Sequence, residues 1–363
     1  MGANKGSWSE FYVFLKLLAD GKLYAADENL NANESLFYII LKLIKTIARE
    51  RQIYKRNGSI KIYSGTDKLL SEISLSDIKK YPDIILNGIV NAPTGKRSFD
   101  IQEANKIFKT LLFTKVSDNT KGKGDITVVI HDPVTVDEKN LTFSIKSYLG
   151  SNPTLFNAGK STNIIYKING DLSKKDVDNL INLNSYTERV NYIFENGFKL
   201  NYIDYSGNIF KSNLVLIDSL LPEILANMLL YKYIDGINSM TELLNKLKND
   251  NPCNYNLAHD HKFYEYKIKR LLVDSALGMT GAKVWDGLYN ATGGFIIVKK
   301  TGELVCFHIY NWNDFQNYLI NKTKLESPDS SPNRCDFGRL LTAKEVGLKS
   351  GYYIKLNFQI RFR

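Results

Sequence analysis

Two short stretches hold residue types that could do chemistry together. Asp125 closes Lys123-Gly-Asp125 and opens a predicted strand, Ile126-Thr-Val-Val-Ile130. Ser144, nineteen residues on from Asp125, and Lys146 end another, Leu141-Thr-Phe-Ser-Ile-Lys146. Successive side chains of a strand point to opposite faces, so Ser144 and Lys146 share one face and Leu141, Phe143 and Ile145 take the other. If the two strands pair, a carboxylate, a hydroxyl and an ammonium meet at one spot. A carboxylate can hold a divalent metal, and a lysine can orient a water and neutralise a phosphate, a set suited to phosphodiester hydrolysis. The same spacing also fits a solvated Asp and Lys on an ordinary hairpin, and spacing does not choose between the two.

These residues need a frame. Ser7 to Ala19 reads as a helix with Phe11, Phe14, Leu15 and Leu18 at helical spacing, and Ser7 with Glu10 fits a capping box. Ser35 to Gln52 is predicted as a longer helix with Phe37, Ile40, Leu41, Ile44 and Ile47 on one side. Its end is basic through Lys42, Lys45, Arg49, Arg51, Lys55 and Arg56, which is either a solvated face or a DNA contact. Short helices are expected from Ser76 to Thr114 around a Pro-Thr-Gly-Lys loop at Pro93, and a turn-rich loop at Gly150-Ser-Asn-Pro-Thr. A strand resumes from Thr162 to Ile168. The segment from Leu172 to about Gly278 is mostly helical, with start signals at Asp218 (then Pro222) and at Ser239 with Glu242. Phe295-Ile-Ile-Val298 and Glu303 to His308 flank Lys-Lys-Thr-Gly as a hairpin, Asp314 to Leu319 is a short helix, and Tyr352 to Phe362 is a closing strand.

The chain has 363 residues, 44% of them apolar, enough for a sizeable core in one large domain or two to three subdomains. No run approaches the roughly 20 apolar residues of a membrane span. The N-terminal residues lack a secretory apolar region, and the odd, scattered Cys253, Cys306 and Cys335 read as reduced thiols, so a cytoplasmic protein is expected. A net charge of +10 favours a polyanionic partner, although high Asn, Lys, Ile and Tyr usage also fits an AT-rich genome that inflates lysine.

Other constellations are weaker. In the last strand Ile354, Leu356, Phe358, Ile360 and Phe362 alternate with Lys355, Asn357, Gln359, Arg361 and Arg363. One face is apolar and the other holds groups that bind phosphates or base edges, or simply a solvated basic face. Gly159-Lys160-Ser161 lacks the upstream glycine of a P-loop, Thr154 standing in its place. Cys253, His259 and His261 lack a fourth zinc ligand at motif spacing. His308 reads as structural, and no Gly-x-Ser-x-Gly elbow is present.

Several stretches resemble the HpaII-type family of type II restriction endonucleases, in order from end to end. They are Gly6 to Tyr24, Gly124-Asp-Ile-Thr, Phe143 to Ala158, Ser161 to Tyr166, Phe307-His-Ile-Tyr-Asn311 and Lys355 to Phe362. The resemblance is weakest in the helical segment after Leu172. It implies an α/β (mixed α+β) fold: a PD-(D/E)xK nuclease core with a mixed central sheet flanked by helices, a helical insertion and a β-rich C-terminal part. The expected division is 1–170 as nuclease core, 171–280 as helical segment and 281–363 as a β-rich part packed on the core and contacting DNA.

In that superfamily an Asp opens one strand and a (Glu/Asp)-x-Lys sits on the next. Asp125 and Lys146 match; Ser144 departs, since it occupies the usual acidic position. The resemblance makes Glu10, on the first helix, the candidate for a second metal-binding carboxylate, against its alternative role as a helix cap with Ser7. It implies Mg²⁺ as cofactor and double-stranded DNA as substrate, cut in a sequence-specific way to leave 5′-phosphates. A short palindrome such as CCGG, a cognate DNA methyltransferase as genetic partner and a homodimer fit the same picture. Asn157, Thr162, Asn163, Asn333, Arg334, Lys355, Asn357, Gln359 and Arg361 are the expected DNA contacts. Two other readings stay open: a DNA-binding protein that has lost cleavage, with Ser144 as the scar, and a structure-specific DNA or RNA nuclease.

Overall fold

Where hydrophobic spacing predicts a helix from Ser35 to Gln52, the chain forms strands. A computed structural model of the protein describes residues 2–47, 50–93, 95–116, 124–131, 138–308 and 311–363. Lys123, Arg49, Thr94 of the Pro93 loop, and Ile309 and Tyr310 lie outside the described residues. The chain begins with α1 (Lys5–Asp20), β1 (Lys22–Ala26), β2 (Ala32–Ile47), β3 (Glu50–Asn57), β4 (Ser59–Ser64) and β5 (Leu69–Ser74). It continues with α2 (Leu75–Ile78), α3 (Tyr81–Val90), α4 (Ala104–Thr110), β6 (Ile126–His131), β7 (Glu138–Ser147), β8 (Thr154–Phe156) and β9 (Ile164–Asn169). Then come α5 (Lys174–Asn182), α6 (Tyr186–Glu195), β10 (Lys199–Tyr205), α7 (Asn208–Ile217), α8 (Leu221–Ile234), α9 (Met240–Asp250) and α10 (Phe263–Leu277). The last elements are β11 (Gly294–Val298), β12 (Leu304–Phe307), α11 (Trp312–Lys322), β13 (Thr323–Glu326), β14 (Leu340–Thr342), β15 (Tyr352–Leu356) and β16 (Gln359–Phe362). The protein is mixed α/β. Among the described residues no single helix is long and apolar enough to cross a membrane.

The β2 segment runs Phe-Tyr-Ile-Ile-Leu-Lys-Leu-Ile-Lys-Thr-Ile, rich in aromatic and β-branched residues that fit a pleated surface. Its near-continuous apolar run satisfies helical and extended spacing alike, and cross-strand partners decide. Of the basic residues predicted for one helix end, Lys42 and Lys45 lie on β2 and Arg51, Lys55 and Arg56 on β3. Lys42 pairs with Glu138 at 3.0 Å and Lys55 with Asp67 at 3.5 Å, while Arg56 Nε donates to the Leu18 carbonyl at 2.9 Å.

The chain divides into two units, one of residues 1–153 and 289–318, the other of 154–288 and 319–363. This differs from the expected three consecutive segments, because each unit draws on distant parts of the chain. In the first unit the sheet runs β1-β12-β11-β7-β6-β2-β3-β4-β5, and β2 also pairs with β1. Six strands thus close into a barrel-like ring, with β1–β12 and β11–β7 parallel. The expected Phe295–His308 hairpin forms, as β11 and β12, and lies inside this ring.

Helix α1 and the sheet share the first unit's core, which includes Trp8, Phe11, Phe14, Leu18, Leu43, Tyr54, Phe108, Phe113 and Phe143. Gly21 ends α1 in the left-handed region (φ 69°), where a side chain would strike the Arg56 guanidinium.

The second unit holds helices α5 to α10 and two small sheets, β10-β9-β15-β14 and β13-β16-β8. The predicted closing strand is broken at Asn357-Phe358, and its halves join different sheets. The apolar alternation continues across the break, since Ile354, Leu356, Phe358, Ile360 and Phe362 are all buried.

Candidate active site

Strands β6 and β7 pair antiparallel, with Ile126 opposite Phe143. Asp125 sits just ahead of the first paired residue and is tied in by its own N–H, which donates to the Phe143 carbonyl at 2.8 Å. Gly124 is required by close approach: a Cβ there would lie 2.1 Å from Thr142 Cγ2 and 3.1 Å from the Asn290 carbonyl. On β7, Phe143 and Ile145 are buried as the alternation predicts, and Ser144 is buried too. The Ser144 hydroxyl donates to Asp125 Oδ2 at 3.2 Å, and the Ile145 N–H donates to the same oxygen at 2.6 Å. Ser144 thus orients the carboxylate that in this pattern would stand beside a second acid.

Lys146, two residues on, is half-buried, with its ammonium 5.4 Å from the Phe295 ring centroid. Burial holds its pKa below the ordinary lysine value, while Asp125 and Glu10 pull it back up.

Glu10 does not cap its helix. The helix begins two residues before Ser7, and Asn4 is its N-cap, with Oδ1 accepting from the Ser7 N–H at 2.9 Å. The predicted Ser7–Glu10 capping box is therefore not formed. Among the described residues the Glu10 carboxylate makes no hydrogen bond or ion pair, and its surroundings are electrostatic. Burial first, then Asp125, pushes its pKa up to about 7, against the opposing pull of Lys45 and Lys146. Helix α1 and strands β6 and β7 thus bring Glu10, Asp125, Ser144 and Lys146 together. Lys45, on β2, joins them as a residue the sequence did not mark for the site. Only the strand register could have revealed it.

The expected DNA contacts divide sharply. Thr162, Asn163 and Asn357 are buried, and their polar groups are used inside the second unit. Thr162 Oγ1 accepts from the Gly159 N–H and donates to Asn357 Oδ1, both at 3.0 Å. Asn163 Nδ2 donates to the Cys335 carbonyl at 2.7 Å. Asn357 Nδ2 donates to the Gly159 carbonyl at 2.9 Å and to Asn163 Oδ1, and its own Oδ1 accepts from the Phe358 N–H at 2.7 Å. This corrects the expectation for these three residues. A fully desolvated amide holding several protein groups has no free edge for a base, and the network fixes the break between β15 and β16. Gln359 and Arg361 both donate to Glu326, at 3.0 and 3.1 Å. Asn157, Asn333 and Arg334 are exposed, and Lys355 is half-buried.

Two carboxylates, one raised by burial and then by the charge of the other, are a donor pair that a divalent cation would relieve. Beside them stand two ammonium groups. Such a set of groups suits a phosphate ester, and comparison with known proteins gives the chain's family. The profile of the HpaII restriction endonuclease family matches residues 4–362. The chain is 40% identical over 359 residues to the type II restriction enzyme HpaII of Haemophilus parainfluenzae, covering 99% of this chain and 98% of that protein. No solved structure matches. The chain belongs to the HpaII restriction endonuclease family. It is a type II restriction enzyme, a site-specific deoxyribonuclease.

Proposed function

We propose that the protein makes Mg²⁺-dependent double-strand cuts in DNA at a short palindrome, CCGG being the natural candidate, and leaves 5′-phosphates. The reading rests on one observation above all: Glu10, distant in sequence from Asp125 and Lys146, interacts electrostatically with both. It treats the site as a PD-(D/E)xK centre in which Ser144 replaces the usual acid and steadies Asp125. Asp125 and Glu10 would hold the cation, with a backbone carbonyl and waters completing the set. When bound, Mg²⁺ polarises the scissile phosphate and offsets charge.

The chain's own contribution is position and electrostatics. Lys146 orients the attacking water, and its ammonium neutralises charge that develops on the phosphate. The Ser144 hydroxyl and Ile145 amide keep the Asp125 carboxylate in a single orientation. Asn157, Asn333, Arg334 and Lys355 remain the candidates for DNA contact. A cytoplasmic enzyme acting as a homodimer beside a cognate methyltransferase fits a palindromic target.

The test is digestion of an unmethylated phage genome in Mg²⁺ by wild type, Asp125→Ala and Lys146→Ala. Discrete wild-type fragments absent from both variants support the reading, and sequencing their ends gives the target. A smear points to a nuclease without sequence choice. Intact DNA that is still bound as a defined duplex points to a binding protein that has lost cleavage.

A further inference from the structure

We propose that Lys45 is a phosphate-binding residue of the cleavage site, holding the backbone phosphate that neighbours the one being cut. The proposal rests on the reading of Glu10, Asp125 and Lys146 as the cleavage site. Lys45 shares a strand face with Leu43 and Ile47, both buried in the core with α1. A lysine on that face is exceptional, and this one is fixed in place. Its ammonium lies 5.7 Å from the Phe113 ring centroid. That ring is packed by Phe11 at 5.0 Å and Phe14 at 5.1 Å, and Phe11 directly follows Glu10 on α1. Among the described residues Lys45 and Lys146 are the cations that act on the Glu10 carboxylate.

Lys45 meets the Glu10 carboxylate through space and is not bonded to it. Among the described residues its ammonium makes no hydrogen bond or ion pair, whereas Lys42 and Lys55 on the same sheet each have a carboxylate. Its cross-strand neighbour is the neutral, buried Gln52, whose Oε1 accepts from the Tyr54 hydroxyl at 2.7 Å. A half-buried ammonium whose donors bond no described residue is costly, so an anion that bonds it is expected in the working complex. The charge count gives its identity. Among the described residues Glu10 and Asp125 balance Lys45 and Lys146, and a divalent cation would then leave two positive charges. The scissile phosphate supplies one negative charge, and an adjacent phosphate of the same strand supplies the second.

The experiment measures binding of a short duplex, carrying the target read from the enzyme's own fragment ends, in Ca²⁺ in place of Mg²⁺ across a salt series. Wild type is compared with Lys45→Met, Lys45→Gln and Lys45→Arg. One lost phosphate contact lowers the salt slope by about 0.9, so the wild-type advantage over Lys45→Met should shrink about 3.5-fold between about 50 and 200 mM salt. Lys45→Arg should keep the wild-type slope. A Lys45→Met slope equal to wild type overturns the proposal, as does an arginine variant that falls with the methionine one. If Lys45→Met melts early, Lys45→Gln carries the comparison. Glu10→Gln and Asp125→Asn separate the two levels. If they cut like wild type, the site itself is misassigned. If they are inactive while Lys45→Met binds with the wild-type slope, only the Lys45 assignment fails.

Discussion

Placing an acid at position 144, where the proposed PD-(D/E)xK pattern has one, is a direct test of how Ser144 and Asp125 meet. In Ser144→Asp a second carboxylate would arrive where the hydroxyl now sits, 3.2 Å from Asp125 Oδ2, at a position that is 1% exposed. At an effective dielectric constant of about 20, two negative charges that close repel by about 5 kcal/mol. The pair escapes part of this by binding a proton. Holding a proton at pH 7 on a group with an unperturbed pKa near 3.9 costs about 4 kcal/mol, and that value caps the penalty. At pH 5 the same route costs only about 1.5 kcal/mol. The folded-state pKa of the pair is raised, so the metal-free variant loses stability as pH climbs from about 4 toward 7. Mg²⁺ should reverse the loss, since the cation takes the place of the proton. Urea unfolding of wild type and Ser144→Asp, at pH 5 and pH 7 with and without Mg²⁺, reads each value. The expected result is a deficit of about 4 kcal/mol at pH 7 without metal, clearly smaller at pH 5 and smaller again with Mg²⁺. A variant as stable as wild type at pH 7 without metal would falsify the geometry.

Other perturbations address the rest of the site. Glu10 is raised from 4.5 to about 7, so the metal-free protein loses at most about 3 kcal/mol as pH rises through that window. Glu10→Gln should therefore be more stable than wild type at pH 8 without metal and equal to it near pH 4, by denaturant titration; a pH-independent difference counts against the burial of this carboxylate. Gly124→Ala should slow single-turnover cleavage by about 10²-fold through displacement of Asp125, and adding Thr142→Ser should recover much of it by removing the struck methyl. Wild-type cleavage by Gly124→Ala would show that the close approach is unimportant. Asn357→Leu strips hydrogen bonds from the Gly159 carbonyl and the Phe358 amide and should cost about 2–4 kcal/mol of stability. Full stability with an altered cleavage sequence would instead return Asn357 to the DNA-reading surface.

What was legible in the sequence was legible because it is local. The two-residue period of β7 put Ser144 and Lys146 on one face, and the closeness of β6 and β7 in the sequence made their antiparallel pairing the simplest outcome. The apolar spacing of α1 and the β11–β12 hairpin follow equally short-range rules. The Ser35–Gln52 run misled because its pattern suits both periods, and the choice lay with partners on β1, β3 and β6.

The closing strand shows the same limit from the other side. Its alternation was read correctly, but the polar face of Asn357 turned out to serve the protein interior. Cap position is another case: Ser7 and Glu10 have capping-box spacing, and Asn4 takes the role three residues earlier, leaving the Glu10 carboxylate for the site.

The sequence alone determined the chemistry available to this protein: an Asp, a Lys and a Ser on adjacent strands, a Glu on the first helix and an excess of positive charge. Only the tertiary structure decided how they combine. Ser144 hydrogen-bonds Asp125, and Asp125, Lys45 and Lys146 all act on the Glu10 carboxylate. The physical reason is that electrostatic and hydrogen-bond energies fall off over a few ångströms of space, while sequence spacing measures distance along the chain. Lys45 and Glu10 are neighbours only because β2 folds against α1.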